Sequence, residues 1–211
     1  MGCDVHMFVE VYNDENKKWE FIKDKFIDEW YFEKAVKQIS DFFGLTPKES
    51  KLILIKYVQK KTSRNKLYKR IIEEYLPQVL NLESEEWVPY SSTSIPNFMT
   101  SSVFIGRNYT LFGVLNNVRS FNSETITDID RGLPDDVSDE IYSDYEFMGP
   151  DAHSASHIYL NEILESRFYK MSNSKLHSYG LGTHFFRGSV KKLLKLKKDP
   201  DKIRIVFWFD N

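Results

Sequence analysis

The sequence predicts an α+β fold: a mainly antiparallel sheet built on the amino- and carboxyl-terminal strands, helices packed on one face, and a helical insertion over residues 30–82. Three observations carry this. Both ends of the chain alternate apolar and polar residues with the period of a strand. Residues 30–82 switch to helical period. The 211 residues, 41% hydrophobic and 15% aromatic, suffice for a single domain to bury a core without disulfides or a structural metal. Residues 1–211 are therefore expected to form one α+β domain carrying the 30–82 module.

Taken in order, residues 3–12 place Cys3, Val5, Met7, Val9 and Val11 on one face and Asp4, His6, Phe8, Glu10 and Tyr12 on the other, the pattern of a half-buried strand. The polar run Asn13-Asp14-Glu15-Asn16 turns the chain into a second strand over 18–22, giving a β-hairpin. Phe32, Val36, Ile39 and Phe43 form a helical stripe ending at Gly44. Thr46-Pro47-Lys48-Glu49 has the form of a capping box with proline at the first helical position. The helix it opens is expected to bury Leu52, Ile55 and Val58. Ser63 is the expected cap of a third helix using Leu67, Ile71 and Tyr75, bent or ended at Pro77.

Residues 87–100, with two prolines and the cluster Ser91, Ser92, Thr93 and Ser94, read as a surface loop. Leu111, Val114, Leu115 and Val118 give a helix over 108–119. Ser138 is placed to cap an acidic helix toward Phe147, and Ile163, Leu164 and Phe168 give a helix over 160–169. At the end, Ile203, Ile205, Phe207 and Phe209 alternate with Arg204, Val206, Trp208 and Asp210, the clearest strand in the chain.

The formal net charge of −2 hides segregated blocks. Residues 51–70 hold eight basic residues and no acidic one; residues 121–166 hold twelve acidic residues and one basic, Arg131. Such blocks are commonly solvated faces and sometimes partner surfaces. The longest apolar runs, 52–55 and 205–209, are far shorter than a membrane span. No basic-then-apolar leader opens the chain, and His6 breaks a myristoylation motif after Gly2. With Cys3 as the single cysteine, no intrachain disulfide can form, which favours a reducing cytosol. Cys3 lies on the apolar face and is expected to be a buried thiol.

Chemistry concentrates around three of the five histidines, in Asp4-Val5-His6 and in Asp151-Ala152-His153-Ser154-Ala155-Ser156-His157. Residues i and i+2 of a strand share a face, as do residues four apart on either a helix or a strand, so Asp4 joins His6 and His153 is expected to join His157. Imidazole with carboxylate suits Zn, Mn or Fe ions and also general acid–base work. If the two terminal strands pair, Asp210 comes near Asp4. The plainer reading is a polar strand surface. Ser154 and Ser156 lack a nucleophile elbow and read more naturally as caps. Arg107, Arg119 and Arg131 could each hold an anion, although ion pairs with Asp128 or Asp136 explain such arginines equally well. No phosphate-binding glycine loop occurs. The corner from Ile39 through Gly44 to Pro47 has helix-turn-helix spacing, with basic helices beyond it.

The blocks Met1-Gly2-Cys3-Asp4-Val5-His6, Gly106-Arg107-Asn108-Tyr109 with Leu111-Phe112, Arg131-Gly132-Leu133-Pro134, Asp151 with His153-Ser154, and Val206-Phe207-Trp208-Phe209-Asp210-Asn211 together resemble a family of uncharacterised bacteriophage and prophage proteins. They cover about a third of the chain, and the 30–82 module lies outside the pattern. The resemblance implies an accessory protein acting in the cytoplasm of a bacterial host, and it gathers the same polar residues that spacing singles out.

The leading expectation is a metal-dependent hydrolase of a phosphate-bearing small molecule or nucleotide. Asp4, His6, His153 and Asp210 would hold a divalent Zn, Mn or Fe ion, with Asp151 or His157 as general base and Arg107, Asn108 and Arg131 binding the anionic substrate. The alternative is a non-catalytic counter-defence protein that sequesters a host protein or a nucleotide signal. A third reading is DNA binding through residues 39–72. No membrane association is expected.

Overall fold

The alternation at the amino terminus becomes strand β1 (Val5–Asn13), followed by β2 (Lys18–Phe21) across the predicted polar turn. The computed structural model describes residues 4–23, 25–79, 98–104, 107–118, 124–127, 131–197 and 199–210. The expectations for Cys3, Arg119, Asp128 and residues 87–97 lie outside these. By packing, the chain divides into two units, Ile27–Met99 and the remainder, left at Phe26 and re-entered at Thr100.

Within Ile27–Met99, β3 (Phe26–Ile27) leads to α1 (Glu29–Phe43). Asp28 accepts from the Trp30 and Tyr31 amides to start the helix, and Gly44, at φ 64°, ends it in the left-handed conformation that glycine tolerates. Helix α2 (Pro47–Val58) opens on the predicted capping box, with the Thr46 hydroxyl on the Glu49 amide and Glu49 on the Thr46 amide. Its inward face differs from the prediction. Ser50, Ile53 and Leu54 are buried, while Leu52 and Ile55 are exposed.

The next helix is capped by Asn65 rather than Ser63 and runs as α3 (Lys66–Arg70), a π-helical turn (Ile71–Tyr75) and α4 (Leu76–Val79). Pro77 sits inside this helix instead of ending it. The missing proline N–H and the clash of its ring fall on the carbonyl of Glu73, where the helix has widened into the π turn. Phe32, Val36, Ile39, Leu54, Ile71 and Leu76 meet in this unit's core with Phe98, just ahead of β4 (Met99–Thr100).

The other unit is the sheet. After β4 come α5 (Tyr109–Asn116), α6 (Asp139–Met148), β5 (His153–Tyr159), α7 (Leu160–Glu165), α8 (Arg167–Lys170), α9 (Asn173–Ser178), α10 (Val190–Leu193) and β6 (Ile203–Phe209). The predicted helix over 160–169 is two helices, broken at Ser166, whose ψ of 148° is extended. The strand order is β2–β1–β6–β5, all antiparallel, with the terminal strands β1 and β6 adjacent at the centre. The fold is α+β, as the sequence predicts.

Both faces of this sheet are covered, against the expectation of helices on one side. Met7, Val9, Ile205, Phe207 and Phe209 face a large core with Leu111, Phe112, Ile163 and Phe186. Val206, Trp208 and Phe8 face a second cluster with Ile141 and Tyr145 of α6 and with Leu133 and Val137. This is why every residue of β6 is buried. On this side Glu10 and Arg204 are fully buried. Arg204 donates to Glu10 Oε2 at 2.6 Å, to Asp136 Oδ1 at 2.6 Å and to the Asp136 carbonyl at 2.9 Å, and its guanidinium lies 4.1 Å from the Trp19 ring centre. Glu10 Oε1 accepts the Ser138 amide at 2.6 Å, fixing the start of α6 to the sheet. A buried charge is tolerated when it is paired and hydrogen-bonded in this way.

Candidate functional site

At one end of the central strand pair the register sets Val5 opposite Phe209, so Asp4 and Asp210 flank the pair. They are tied both ways: the Asp4 amide donates to Asp210 Oδ1 at 2.8 Å, and the Asp210 amide donates to the Asp4 carbonyl at 3.2 Å. His6 follows on the same side of β1, and its Nε2 lies 3.1 Å from Asp210 Oδ2. The imidazole is stacked on Trp208, with ring centres 5.8 Å apart and planes 12° from parallel. Trp208 is fully buried and packed by Phe8 and Tyr145, so the ring beneath His6 has no room to move.

Arg107 completes the cluster from the residue before the Asn108 cap of α5. Its guanidinium forks the Asp4 carboxylate, Nε to Oδ1 and Nη2 to Oδ2, the latter at 2.8 Å. Both side chains of this pair are about half exposed. The Arg107 hydrogen bond holds the Asp4 carboxyl below its ordinary range, and Asp4 in turn raises Arg107. For Asp210, burial pushes the carboxyl up, but the hydrogen bonds from His6 and from the Asp4 amide outweigh it, and the net shift is downward.

The cluster thus holds a histidine–carboxylate dyad beside an arginine. A carboxylate only accepts, so Nε2 of His6 carries the hydrogen and Nδ1 carries the lone pair in the neutral ring. Among the described residues no hydrogen bond engages Nδ1. Such a ring, oriented by its carboxylate, can take a proton from water or a hydroxyl, and Asp210 stabilises the imidazolium that forms.

The other predicted site residues have different employment. Asn108 caps α5 by accepting the Leu111 amide at 2.9 Å and donates to the carbonyls of Gly180 and Leu181, leaving no amide group to hold a substrate. Arg131 makes a two-pronged pair with Glu162, at 3.0 and 2.8 Å. Glu162 also accepts the Tyr159 amide at the start of α7, so the pair braces that helix. Asp136 serves Arg204 instead.

His153 and His157 do not share a face. His153 lies opposite Phe209 and His157 opposite Val206, positions three apart on β6 that point to opposite sides. The strand is irregular between His153 and Ser156, with Ser154 at φ 52°, and that extra residue reverses the facing. His153 stacks on Phe209 with Nδ1 3.1 Å from Ser154 Oγ, across the sheet from His6. His157 Nδ1 lies 3.0 Å from the Gly132 carbonyl. Asp151 is exposed in a single turn, Gly149–Asp151, before β5. Ser156 is fully buried.

These positions do not make a ready cage for a Zn, Mn or Fe ion. Asp4 is held by Arg107, and His153 is across the sheet. Among the described residues no three His, Cys, Asp or Glu side chains gather to share an ion. Sequence reasoning missed the roles of Trp208 and Arg204; the signal available for Trp208 was its alternation with Asp210 on the strand that places both beside His6. Compared with protein-family models, curated proteins and solved structures, the chain matches none of them. Among the described residues no helix is long and apolar enough to cross a membrane.

Proposed function

We propose that the Asp4–His6–Arg107–Asp210 cluster binds and hydrolyses a phosphate-bearing small molecule or nucleotide, in an accessory protein of a phage or prophage acting in its bacterial host. The observation that carries the chemistry is the pairing of His6 Nε2 with Asp210 Oδ2 at 3.1 Å, which leaves Nδ1 as the base. In this reading His6 Nδ1 takes a proton from water as the water oxygen bonds to phosphorus. The bond from phosphorus to the leaving oxygen breaks, and His6 returns the proton to that oxygen. Arg107 supplies the planar donors that hold phosphoryl oxygens. The phage setting rests on the resemblance of the sequence blocks that contain these residues.

Incubation with a panel of nucleotides and phosphate monoesters, followed by 31P NMR, tests the proposal. Turnover that falls about 10²- to 10⁴-fold in His6→Gln, the usual worth of a general base, supports it. Absence of turnover in the wild-type protein, or equal turnover in the variant, overturns it. Turnover lost to a chelator and restored by Zn, Mn or Fe would bring the predicted ion back into the site.

A second reading, sequestration of a host protein without turnover, is favoured by α6 in the acidic block, where Phe147 is 90% exposed and Tyr142 is exposed as well. His6→Gln would leave that function intact. DNA binding through residues 39–72 is less favoured, because Glu33, Glu73 and Glu74 stand among Lys51, Lys69 and Arg70 and would repel the same phosphates.

A further inference from the structure

We infer that Asp4 is a built-in competitor for the anion site: its carboxylate occupies the fork of Arg107, and an arriving phosphate displaces it. The inference rests on the reading of Arg107 as the anchor for a phosphoryl group, and it adds that the site exists in a latched and an engaged state.

The geometry of the pair is the first support. Arginine presents two parallel N–H donors to a carboxylate in the same fork it presents to a phosphate, and Asp4 takes both, through Nε and Nη2. The Asp4 carboxylate therefore stands where two phosphoryl oxygens would sit. Exposure is the second. The side chains of Arg107 and Asp4 are 55% and 50% exposed, and ion pairs in such surroundings are worth little, so exchange for another anion is easy.

Third, the backbone is anchored independently of the side chain. The Asp4 amide and carbonyl are held by Asp210, so the carboxylate can swing off Arg107 without opening the strand pair. Arg107 is equally fixed at its base, because the next residue, Asn108, caps α5 and is bonded to Gly180 and Leu181.

Charge supplies the fourth support. Among the described residues, with His6 neutral, Asp4 and Asp210 outnumber the single positive charge of Arg107. A phosphate approaching the latched state meets more negative than positive charge, and moving Asp4 aside removes both the occupant of the fork and one repelling carboxylate.

Titration with inorganic phosphate, followed by the amide NMR signals of residues 107–109, tests this in wild type, Asp4→Asn and Asp4→Ala at fixed ionic strength. Neither substitution touches the backbone bonds to Asp210, and thermal melting confirms that each variant is folded. The expected result is phosphate affinity raised by up to about fivefold in both variants, the scale of releasing a surface ion pair; Arg107→Gln should abolish binding. If the wild-type protein binds phosphate and the Asp4 variants bind equally or more weakly, the competitor role is overturned while the anion site stands. If no form binds phosphate, the anion site itself is overturned, and the latch with it.

Discussion

Replacing Arg204 with methionine removes a positive charge buried between the sheet and the start of α6. Wild-type Arg204 is fully buried and bonded to Glu10, which is also fully buried, and to Asp136, whose side chain is 67% exposed. Water can solvate Asp136 after the substitution, so its share of the loss is small. Glu10 cannot be solvated and is left as an unpaired buried carboxylate. Breaking a buried pair from one side costs about 3–5 kcal/mol. At about 2–4 °C per kcal/mol for a chain of this length, the melting temperature of the sheet unit should fall by roughly 6–20 °C. The Ser138 amide, which donates to Glu10, should exchange its hydrogen faster in the variant. Adding Glu10→Gln keeps an acceptor for Ser138 and removes the stranded charge, so the double variant should recover a large part of the loss. Urea unfolding followed by near-ultraviolet circular dichroism measures all three proteins. A loss below about 1 kcal/mol for Arg204→Met, or a double variant no better than the single one, would refute the reasoning that Arg204 compensates Glu10.

Other substitutions separate bracing from binding. Asn108→Ala should cost about 1 kcal/mol, the usual worth of a helix N-cap, while Arg107 still binds inorganic phosphate. Arg131→Gln should lower stability by about 1 kcal/mol and leave phosphate affinity unchanged; a lost affinity would restore Arg131 to the site. Hydrogen bonds from the Thr46 and Tyr68 hydroxyls and from the Thr46 amide lower Glu49 to about 2. Because its folded value is depressed, its stabilisation is complete above the unfolded value of 4.5 and drains away as pH falls from there toward about 2. Carbon-13 NMR of the Glu49 carboxyl reads this directly, and Thr46→Ala should move the midpoint upward. For Asp210, whose value is also depressed, His6→Ala should raise the carboxyl titration by removing one of its donors.

Much of the fold was legible because period and capping are local properties. The alternation of 3–12 and 202–210, the Thr46–Glu49 capping box and the Gly44 helix end depend on residues within a turn or two of each other, and the structure carries them out. What failed was non-local. Nothing near Ile55 says that α2 turns Ile53 and Leu54 inward; that depends on Phe32, Val36 and Ile71. Nothing near Glu10 says that α6 will cover it, so a strand read as half-buried is buried on its polar face at Glu10 while His6 and Phe8 stay partly exposed.

The candidate site divides along the same line. Asp4 and His6 share a face by strand geometry alone, and their meeting with Asp210 needed only the pairing of the two terminal strands. His153 was misplaced because one irregularity at Ser154 inverts the facing of a strand, and spacing counts cannot register an extra residue. Asn108 and Arg131 looked like substrate ligands because polar residues beside loops resemble one another in sequence; their actual partners, Gly180 and Glu162, are 72 and 31 residues away.

The central claim is that Asp210 fixes His6 so that Nδ1 is the free base. Long-range 1H–15N correlation of the His6 ring in the neutral form tests it most directly, in the wild-type protein and in Asp210→Asn, with and without inorganic phosphate. The account expects the hydrogen on Nε2, a shift of the Nδ1 resonance when phosphate binds, and a mixture of tautomers in the variant. A hydrogen on Nδ1 in the wild-type protein, or a ring that ignores both phosphate and the loss of Asp210, would contradict it.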